Sequence, residues 1–353
     1  MDRIKQLVLP EVADGALITS DINRRYFTGM KSSAGMLLIF KECAYLIIDF
    51  RYIEKARNTV KNCTVMEQEN LTEQINSLMK KNNAKSLAVE SMDMTLSRMS
   101  FLEKKFPDIE FIKSDELSNN IYDMRTIKST EEIEKIHKAQ KIAEKAFDEI
   151  LGFIRPGVTE REIALKLDNC MLENGAEGLS FETIALAGAN TSMPHGVPGN
   201  YKVKNGDFVL MDFGAVYDGY HSDMTRTVCV GQSSEKMGKI YDIVLKAQLE
   251  ALKKVKSGIT GSELDGYARD IIDESGYGDF FGHSLGHGVG MEIHEFPTAS
   301  SKSETILKEN MVVTVEPGIY LPGEFGVRIE DFVVVTENSH QNLTNCPKKL
   351  IIL

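Results

Sequence analysis

The chain has 353 residues, with 41 Lys+Arg against 52 Asp+Glu for a formal net charge of −11, and is 42% hydrophobic and 26% charged. This ordinary globular composition excludes disorder and collagen-like repeats, and the length fits two domains at roughly 100–200 residues each. The acidic balance argues against nucleic acid as the main partner, no apolar run approaches the roughly 20 residues that span a bilayer, and five scattered cysteines without C-x-x-C point to a reducing cytoplasm.

The opening Met1-Asp2-Arg3-Ile4-Lys5 lacks the apolar core of a signal peptide. Residues 1–125 hold 18 basic and 18 acidic side chains and no histidine; residues 126–353 hold 23 basic, 34 acidic and all seven histidines. Short apolar or β-branched runs at Ala16–Thr19, Gly35–Phe40, Ala44–Asp49, Ser86–Glu90 and Ile109–Lys113 read as strands. Helical patterns at Leu71–Lys81 and Thr95–Lys105 lie between them, so residues 1–125 are expected to form an α/β domain. The boundary is placed near Asp123–Lys128, before a long charged helix over Ser129–Gly152. The second domain is then 126–353.

This second portion repeats itself. Residues 145–175 slide onto 246–276 at an offset of 101 without a gap, and nine positions coincide, among them Gly157/Gly258, Thr159/Thr260, Glu162/Glu263 and Gly175/Gly276. Each copy reads helix, Gly turn, second helix, terminal Gly. Thr159 and Glu162 form a capping-box pattern, and Gly175 suits the position just past a helix end. A long-period repeat implies a pseudo-symmetric architecture, and a cleft between two related halves is a natural ligand site.

Each copy is followed by β-rich, His-bearing sequence. In Asp207–Val230 two β-rich runs flank Tyr217-Asp218-Gly219-Tyr220, which predicts a hairpin with Asp212 on one strand and Asp223 on the other. If the turn centres between 217 and 218, the two carboxylates face each other. If Asp218-Gly219 is the loop, Asp212 opposes Thr225 and Asp223 is a diagonal neighbour on the same face. Either way the two like charges converge and need a cation between them. In Phe281–Glu295 the histidines His283, His287 and His294 stand among glycines that oppose a helix; glycines on both sides of His287 are expected to bring backbone close to a ligand. In Met311–Thr336, Glu316 ends a strand before Pro317-Gly318, and Arg328 and Glu330 are two apart on one strand face. Four carboxylates with one imidazole balance two divalent cations, and oxygen ligands with imidazole favour Mn²⁺, Fe²⁺, Co²⁺ or Zn²⁺. The residues by themselves read as a two-metal hydrolase of open substrate.

The motifs Met193-Pro194-His195-Gly196, Met211-Asp212-Phe213-Gly214, Ser222-Asp223-Met224-Thr225-Arg226-Thr227, His283–Gly290, Ile293-His294-Glu295, Glu316-Pro317-Gly318-Ile319-Tyr320 and Gly326–Asp331 occur in order. With them the chain resembles the pita-bread metallopeptidases, in their Xaa-Pro dipeptidase (prolidase) and aminopeptidase P branch. Tyr26-Phe27-Thr28-Gly29 and Asp49-Phe50-Arg51-Tyr52 resemble that branch's creatinase-like N-terminal domain. The resemblance implies an α+β pita-bread catalytic domain with a pseudo-two-fold repeat, preceded by the smaller α/β domain. It implies a dinuclear metal site, most readily manganese, with ligands Asp212, Asp223, His287, Glu316 and Glu330. It also implies that a hydroxide bridging the metals attacks the carbonyl before proline. Glu316 is then the proton acceptor, His195 and His294 hold the substrate and stabilise developing charge, His283 lines the pocket, and Tyr320 and Arg328 orient Glu330 and substrate. The substrate is a peptide with proline in second place. The N-terminal domain is expected to support a homodimer and narrow the entrance, and no nucleic acid or membrane partner is expected. Thr298 stands where some prolidases carry Arg, which leaves aminopeptidase P-like activity open. The alternatives are a non-catalytic pita-bread binding protein, a creatinase-like enzyme, or an aminopeptidase without proline preference; the complete ligand set weighs against loss of catalysis.

Overall fold

A computed structural model describes residues 3–353. The chain divides into two compact units, Met1–Arg125 and Thr126–Leu353.

The first unit is built on one six-stranded sheet. Its strands are β1 (Gly15–Ile18), β2 (Met36–Phe40), β3 (Ala44–Ile48), β4 (Thr64–Glu67), β5 (Ser86–Val89) and β6 (Glu110–Ile112), in the order β4-β3-β2-β1-β5-β6. β1/β2 and β2/β3 pair antiparallel, while β3/β4, β1/β5 and β5/β6 pair parallel. Every residue of β1, β2, β3 and β5 is buried, which is why these segments read as unbroken apolar runs rather than alternating ones. The edge strands β4 and β6 are partly exposed, and β4 carries too weak a pattern to be read from sequence. Helices Leu71–Lys81 and Leu96–Lys105 start at Asn70 and Thr95, whose side chains accept hydrogen bonds from Glu73 N and Arg98 N.

In the second unit the repeat becomes geometry. Helices Thr130–Leu151 and Glu160–Glu173 form one pair, Glu235–Lys254 and Gly261–Glu274 the other. Thr159/Glu162 and Thr260/Glu263 are both complete capping boxes. The aligned glycines share a left-handed backbone, with φ of 96° and 92° at Gly157 and Gly258 and 96° and 82° at Gly175 and Gly276.

The strands that follow the first pair are β7 (Gly178–Leu179), β8 (Ile184–Ala187), β9 (Phe208–Phe213), β10 (Ala215–Tyr217), β11 (Tyr220–His221) and β12 (Met224–Cys229). Those after the second pair are β13 (Gly286–Gly288), β14 (Glu295–Ala299), β15 (Val312–Val315), β16 (Gly318–Leu321), β17 (Phe325–Arg328), β18 (Asp331–Val335) and β19 (His340–Asn342). They form sheets β12-β9-β8 and β14-β13-β15-β18-β19, with smaller ones β11-β10-β7 and β16-β17. Each helix pair buries its apolar stripe on its own strands. Phe147, Ile150, Ile163 and Leu167 pack with Val209, Met211 and Phe213; Ile240, Val244, Leu264 and Ile272 pack with Val313, Val315 and Val333.

The halves meet where β12 runs beside Arg328–Asp331. Glu330 N donates to Thr225 O at 3.1 Å, and Thr227 Oγ1 donates to Arg328 O at 3.0 Å. A buried ion pair, Arg226 Nη2 to Asp331 Oδ1 at 2.7 Å, closes the seam. Among the described residues, no helix is long and apolar enough to cross a membrane.

Candidate active site

A cavity of about 490 Å³ opens in the second unit, and its wall contains Asp212, Asp223, His287, Glu316, Glu330, His195, His283, His294 and Arg328. Seven discontinuous stretches supply these side chains, so only the fold assembles them.

The hairpin register brings the aspartates in. Tyr217 pairs with Tyr220, and Asp218 and Gly219 sit at φ of 46° and 81°, so the loop is the two-residue one that left-handed backbone favours. Asp212 on β9 therefore pairs with Thr225, not Asp223. Asp223 stands just ahead of β12 as the diagonal neighbour. Asp212, Asp223 and Glu330 each present an oxygen within 4.8 Å of the others. Glu330 occupies the gap between β17 and β18 and is 1% exposed. Thr225 Oγ1 donates to Glu330 Oε2 at 2.8 Å.

The second half adds His287 and Glu316. His287 on β13 has Nδ1 3.0 Å from Gly288 O; a carbonyl only accepts, so Nδ1 carries the proton. Nε2 then presents its lone pair, yet it lies 3.5 Å from Asp223 Oδ2 and 3.4 Å from Glu316 Oε1. Three acceptors thus face one another, an arrangement that a cation between them resolves. Thr314 Oγ1 links the pair, accepting from His287 N at 3.0 Å and donating to Glu316 Oε1 at 3.2 Å.

Electrostatics tell the same story. Burial, then the neighbouring Asp212 and Glu316 carboxylates, pushes Asp223 well up. Burial and the surrounding acids push Glu330 well up, and burial raises Glu316 to about 8. Burial holds His287 down to about 4, so the ring is neutral and available as a ligand. Asp212 Oδ1 and Glu330 Oε1 are buried without a hydrogen-bond partner. Orphaned carboxylate oxygens beside a neutral imidazole are the donor set of a hard or borderline divalent cation, so these residues fit the implied metals.

Arg328 braces the cluster differently from the sequence expectation. Its Nη2 lies 2.5 Å from Asp212 Oδ2, so it orients Asp212 directly and reaches Glu330 only through Thr225, whose Oγ1 accepts from Nε at 3.0 Å. Its Nη1 donates to Tyr320 Oη at 2.8 Å, and Tyr320 in turn donates to His283 Nε2 at 2.8 Å. His283 Nδ1 donates to Ser284 O at 2.8 Å, which sets the tautomer, and burial and Arg328 lower the ring to about 4, which keeps it neutral. His195 and His294 are exposed on the cavity wall, and the His294 ring lies 4.4 Å from that of His287, edge to face.

The glycines around His287 also have a packing purpose. A Cβ on Gly286 would stand 2.0 Å from Thr314 O, and one on Gly288 2.2 Å from Phe296 O. They let the strands on either side of β13 close up. Gly286 also lines the cavity beside the imidazole. Sequence reasoning missed Thr225 and Thr314, because a strand threonine carries no signal until its cross-strand neighbours are known. The other histidines lie outside the cavity; His221 Nδ1, for example, is 2.8 Å from Ser180 Oγ.

Comparison with known proteins agrees with this geometry. The profile of metallopeptidase family M24 matches residues 134–337, and that of the Creatinase/Prolidase N-terminal domain matches residues 1–127. The chain is 43% identical to a Xaa-Pro dipeptidase of Pyrococcus horikoshii, over 96% of this chain and 94% of that one. Among solved structures it is similar to a Xaa-Pro dipeptidase from Bacillus anthracis, with a TM-score of 0.93 at 43% identity over 97% and 95% of the two chains. It is equally similar in shape to an X-Pro aminopeptidase from Thermotoga maritima, with a TM-score of 0.94 at 39% identity over 100% of both chains.

Proposed function

Because this chain belongs to metallopeptidase family M24, we propose that it is a Xaa-Pro peptidase, hydrolysing the peptide bond before a proline in second place. The observation that carries the site assignment is the lone pair of His287 Nε2 facing the Asp223 and Glu316 carboxylates, with orphaned oxygens on Asp212 and Glu330 beside it. Asp212, Asp223, His287, Glu316 and Glu330 would hold two divalent cations, most readily Mn²⁺. Bound there, the ions would supply Lewis acidity and a nucleophile that ionises near neutral pH.

The chain's own groups do the rest. Glu316, at the edge of the ligand set, is the proton acceptor for the nucleophile. His195 and His294 on the cavity wall hold the substrate carbonyl and stabilise the charge that develops on it or on the leaving amine. His283 and Tyr320 shape the pocket, and Arg328 holds Asp212 in place. The X-Pro bond has no N–H, so a site that accepts it depends on its hold on the carbonyl. Proline preference is supported by the three named relatives of this branch.

Substrate length is supported by a separate observation. Thr298 lines the cavity and is the β-sheet partner of His287. Among the described residues of the wall, Arg328 is the only Lys or Arg, and each of its side-chain nitrogens is already engaged. A dipeptide's carboxylate thus meets no dedicated cation, which supports acceptance of longer peptides as well. Free thiols at all five cysteines support a reducing compartment such as the cytoplasm. The creatinase-like first unit is proposed to support a homodimer, which light scattering tests.

One assay separates the readings. With Mn²⁺ added, cleavage of Ala-Pro alone means prolidase, and preference for a Xaa-Pro tripeptide means aminopeptidase P. Preference for a proline-free dipeptide refutes the proline assignment.

A further inference from the structure

Glu160 is a buried carboxylate, 1% exposed, that the proposed chemistry does not use. It stands at the start of helix Glu160–Glu173, and its two oxygens point to opposite ends of one loop. Oε1 accepts from Ala187 N at 2.8 Å and Asn190 Nδ2 at 2.9 Å, where the loop begins. Oε2 accepts from Gly199 N at 2.9 Å, where it ends. The helix adds two bonds to the far end, Glu160 N to Tyr201 O at 3.1 Å and Arg161 N to Gly199 O at 3.0 Å, using first-turn N–H groups that have no partner within the helix. Between these anchors lies His195.

We infer that Glu160 is a positioning residue: it clasps the loop over residues 190–199 at both ends and thereby sets the place of His195 on the cavity wall. Three features make the clasp necessary. The His195 ring makes no hydrogen bond to any described residue, so only its backbone locates it. The stretch around His195 is open, with His195 exposed and Val197 79% exposed; its other ties are buried Thr191, whose Oγ1 accepts from Gly326 N at 2.8 Å, and Pro194 O, 3.5 Å from Arg328 Nη1. Inside the loop the backbone bonds are only two tight turns, Met193 N to Asn190 O and Gly196 N to Met193 O. A stretch with so few backbone bonds of its own opens readily unless its ends are tied.

A carboxylate is the side chain that can do this. It offers acceptors on both oxygens, whereas an amide turns a donor toward one of the two ends. The feature is not a relic of the internal repeat, since Glu160 aligns with Gly261 at the offset of 101. The second half secures its own histidine loop by other means. Asp265 Oδ1 accepts from Leu285 N at 3.0 Å and holds Arg269, which donates to Phe281 O at 2.9 Å and His283 O at 2.8 Å.

The inference rests on the catalytic role proposed for His195, and a double-mutant cycle separates the two. Glu160→Gln, His195→Ala and the double variant are assayed as Mn²⁺-loaded enzymes on a Xaa-Pro tripeptide, with Mn²⁺ content measured on each. His195→Ala is expected to lose about 10²–10⁴-fold in rate. Glu160→Gln is expected to lose about 10²-fold in kcat, the scale of a roughly 1 Å misplacement, with its Mn²⁺ content unchanged. The double variant is expected to be no slower than His195→Ala, because a residue acting through His195 has nothing left to position. Multiplied losses in the double variant, or wild-type kcat in Glu160→Gln, overturn the clasp. Full activity in His195→Ala instead overturns the functional role of that histidine. If Glu160→Gln does not fold, Asn190→Ala, which unties only one end, runs the same cycle with a smaller expected loss.

Discussion

Thr225→Val isolates the polar brace of the metal cluster from its packing. The two side chains are nearly the same shape and Thr225 is fully buried, so the substitution removes a hydroxyl and little else. That hydroxyl donates to Glu330 Oε2 at 2.8 Å and accepts from Arg328 Nε at 3.0 Å. In the metal-free protein Arg328 is charged and Glu330, pushed well up, is neutral, so the two hydrogen bonds contribute ~1.5–3 and ~0.5–1.5 kcal/mol. The lower bound for the two is about 2 kcal/mol, which at roughly 2–4 °C per kcal/mol lowers the melting temperature by about 4–8 °C. Glu330 also loses the donor that orients it, and removing such a support typically costs about 10–100-fold in metal affinity. Calorimetric melting of the metal-free protein and a Mn²⁺ titration read the two effects separately. Thr225→Ser, which keeps the hydroxyl, should bind Mn²⁺ like the wild type. If Thr225→Val melts and binds Mn²⁺ as the wild type does, Arg328 and Glu330 are not coupled through this residue.

Asp212→Asn or His287→Ala should abolish metal-dependent hydrolysis while far-UV circular dichroism stays native; full activity in a metal-free variant would refute the two-metal assignment. The metal-free protein should lose stability as pH rises. Asp223, Glu316 and Glu330 all have raised values when folded, so their contribution is present below the ordinary carboxylate range and fades as pH climbs toward about 8, the value of Glu316. Melting in chelator at pH 5 and pH 8 checks the sign, Mn²⁺ should restore the loss, and a higher melting temperature at pH 8 in chelator contradicts it. Gly288→Ala would drive a methyl group against Phe296 O, so β13 should part from β14; loss of Mn²⁺ binding with the first unit's stability unchanged is expected, and wild-type affinity would show that the strands can yield.

How much of this was legible in the sequence depends on the range of the interaction. The helix pairs were visible because capping boxes and left-handed glycines are local chemistry: Thr159, Glu162 and Gly175 specify helix ends whatever surrounds them. The buried strands of the first unit were visible because a strand covered on both faces must be apolar throughout. The edge strand β4 was not, since partial exposure leaves it no pattern. The hairpin was visible, but its register was not; Asp218 and Gly219 allow the two-residue loop, and only the pairing of Tyr217 with Tyr220 selects it.

The sequence by itself determined which acids and histidines are available, and that they follow a duplicated helix pair. A carboxylate within a Val-rich strand is costly unless something compensates it, and that cost is readable one residue at a time. Tertiary structure alone decided the partners. Arg328 turned out to hold Asp212 rather than its near neighbour Glu330, Thr225 ties the two together, and Glu160 reaches both ends of a loop about 30 residues away. Hydrogen bonds and ion pairs act over a few ångströms in space, and at those separations along the chain only the tertiary fold brings the atoms together.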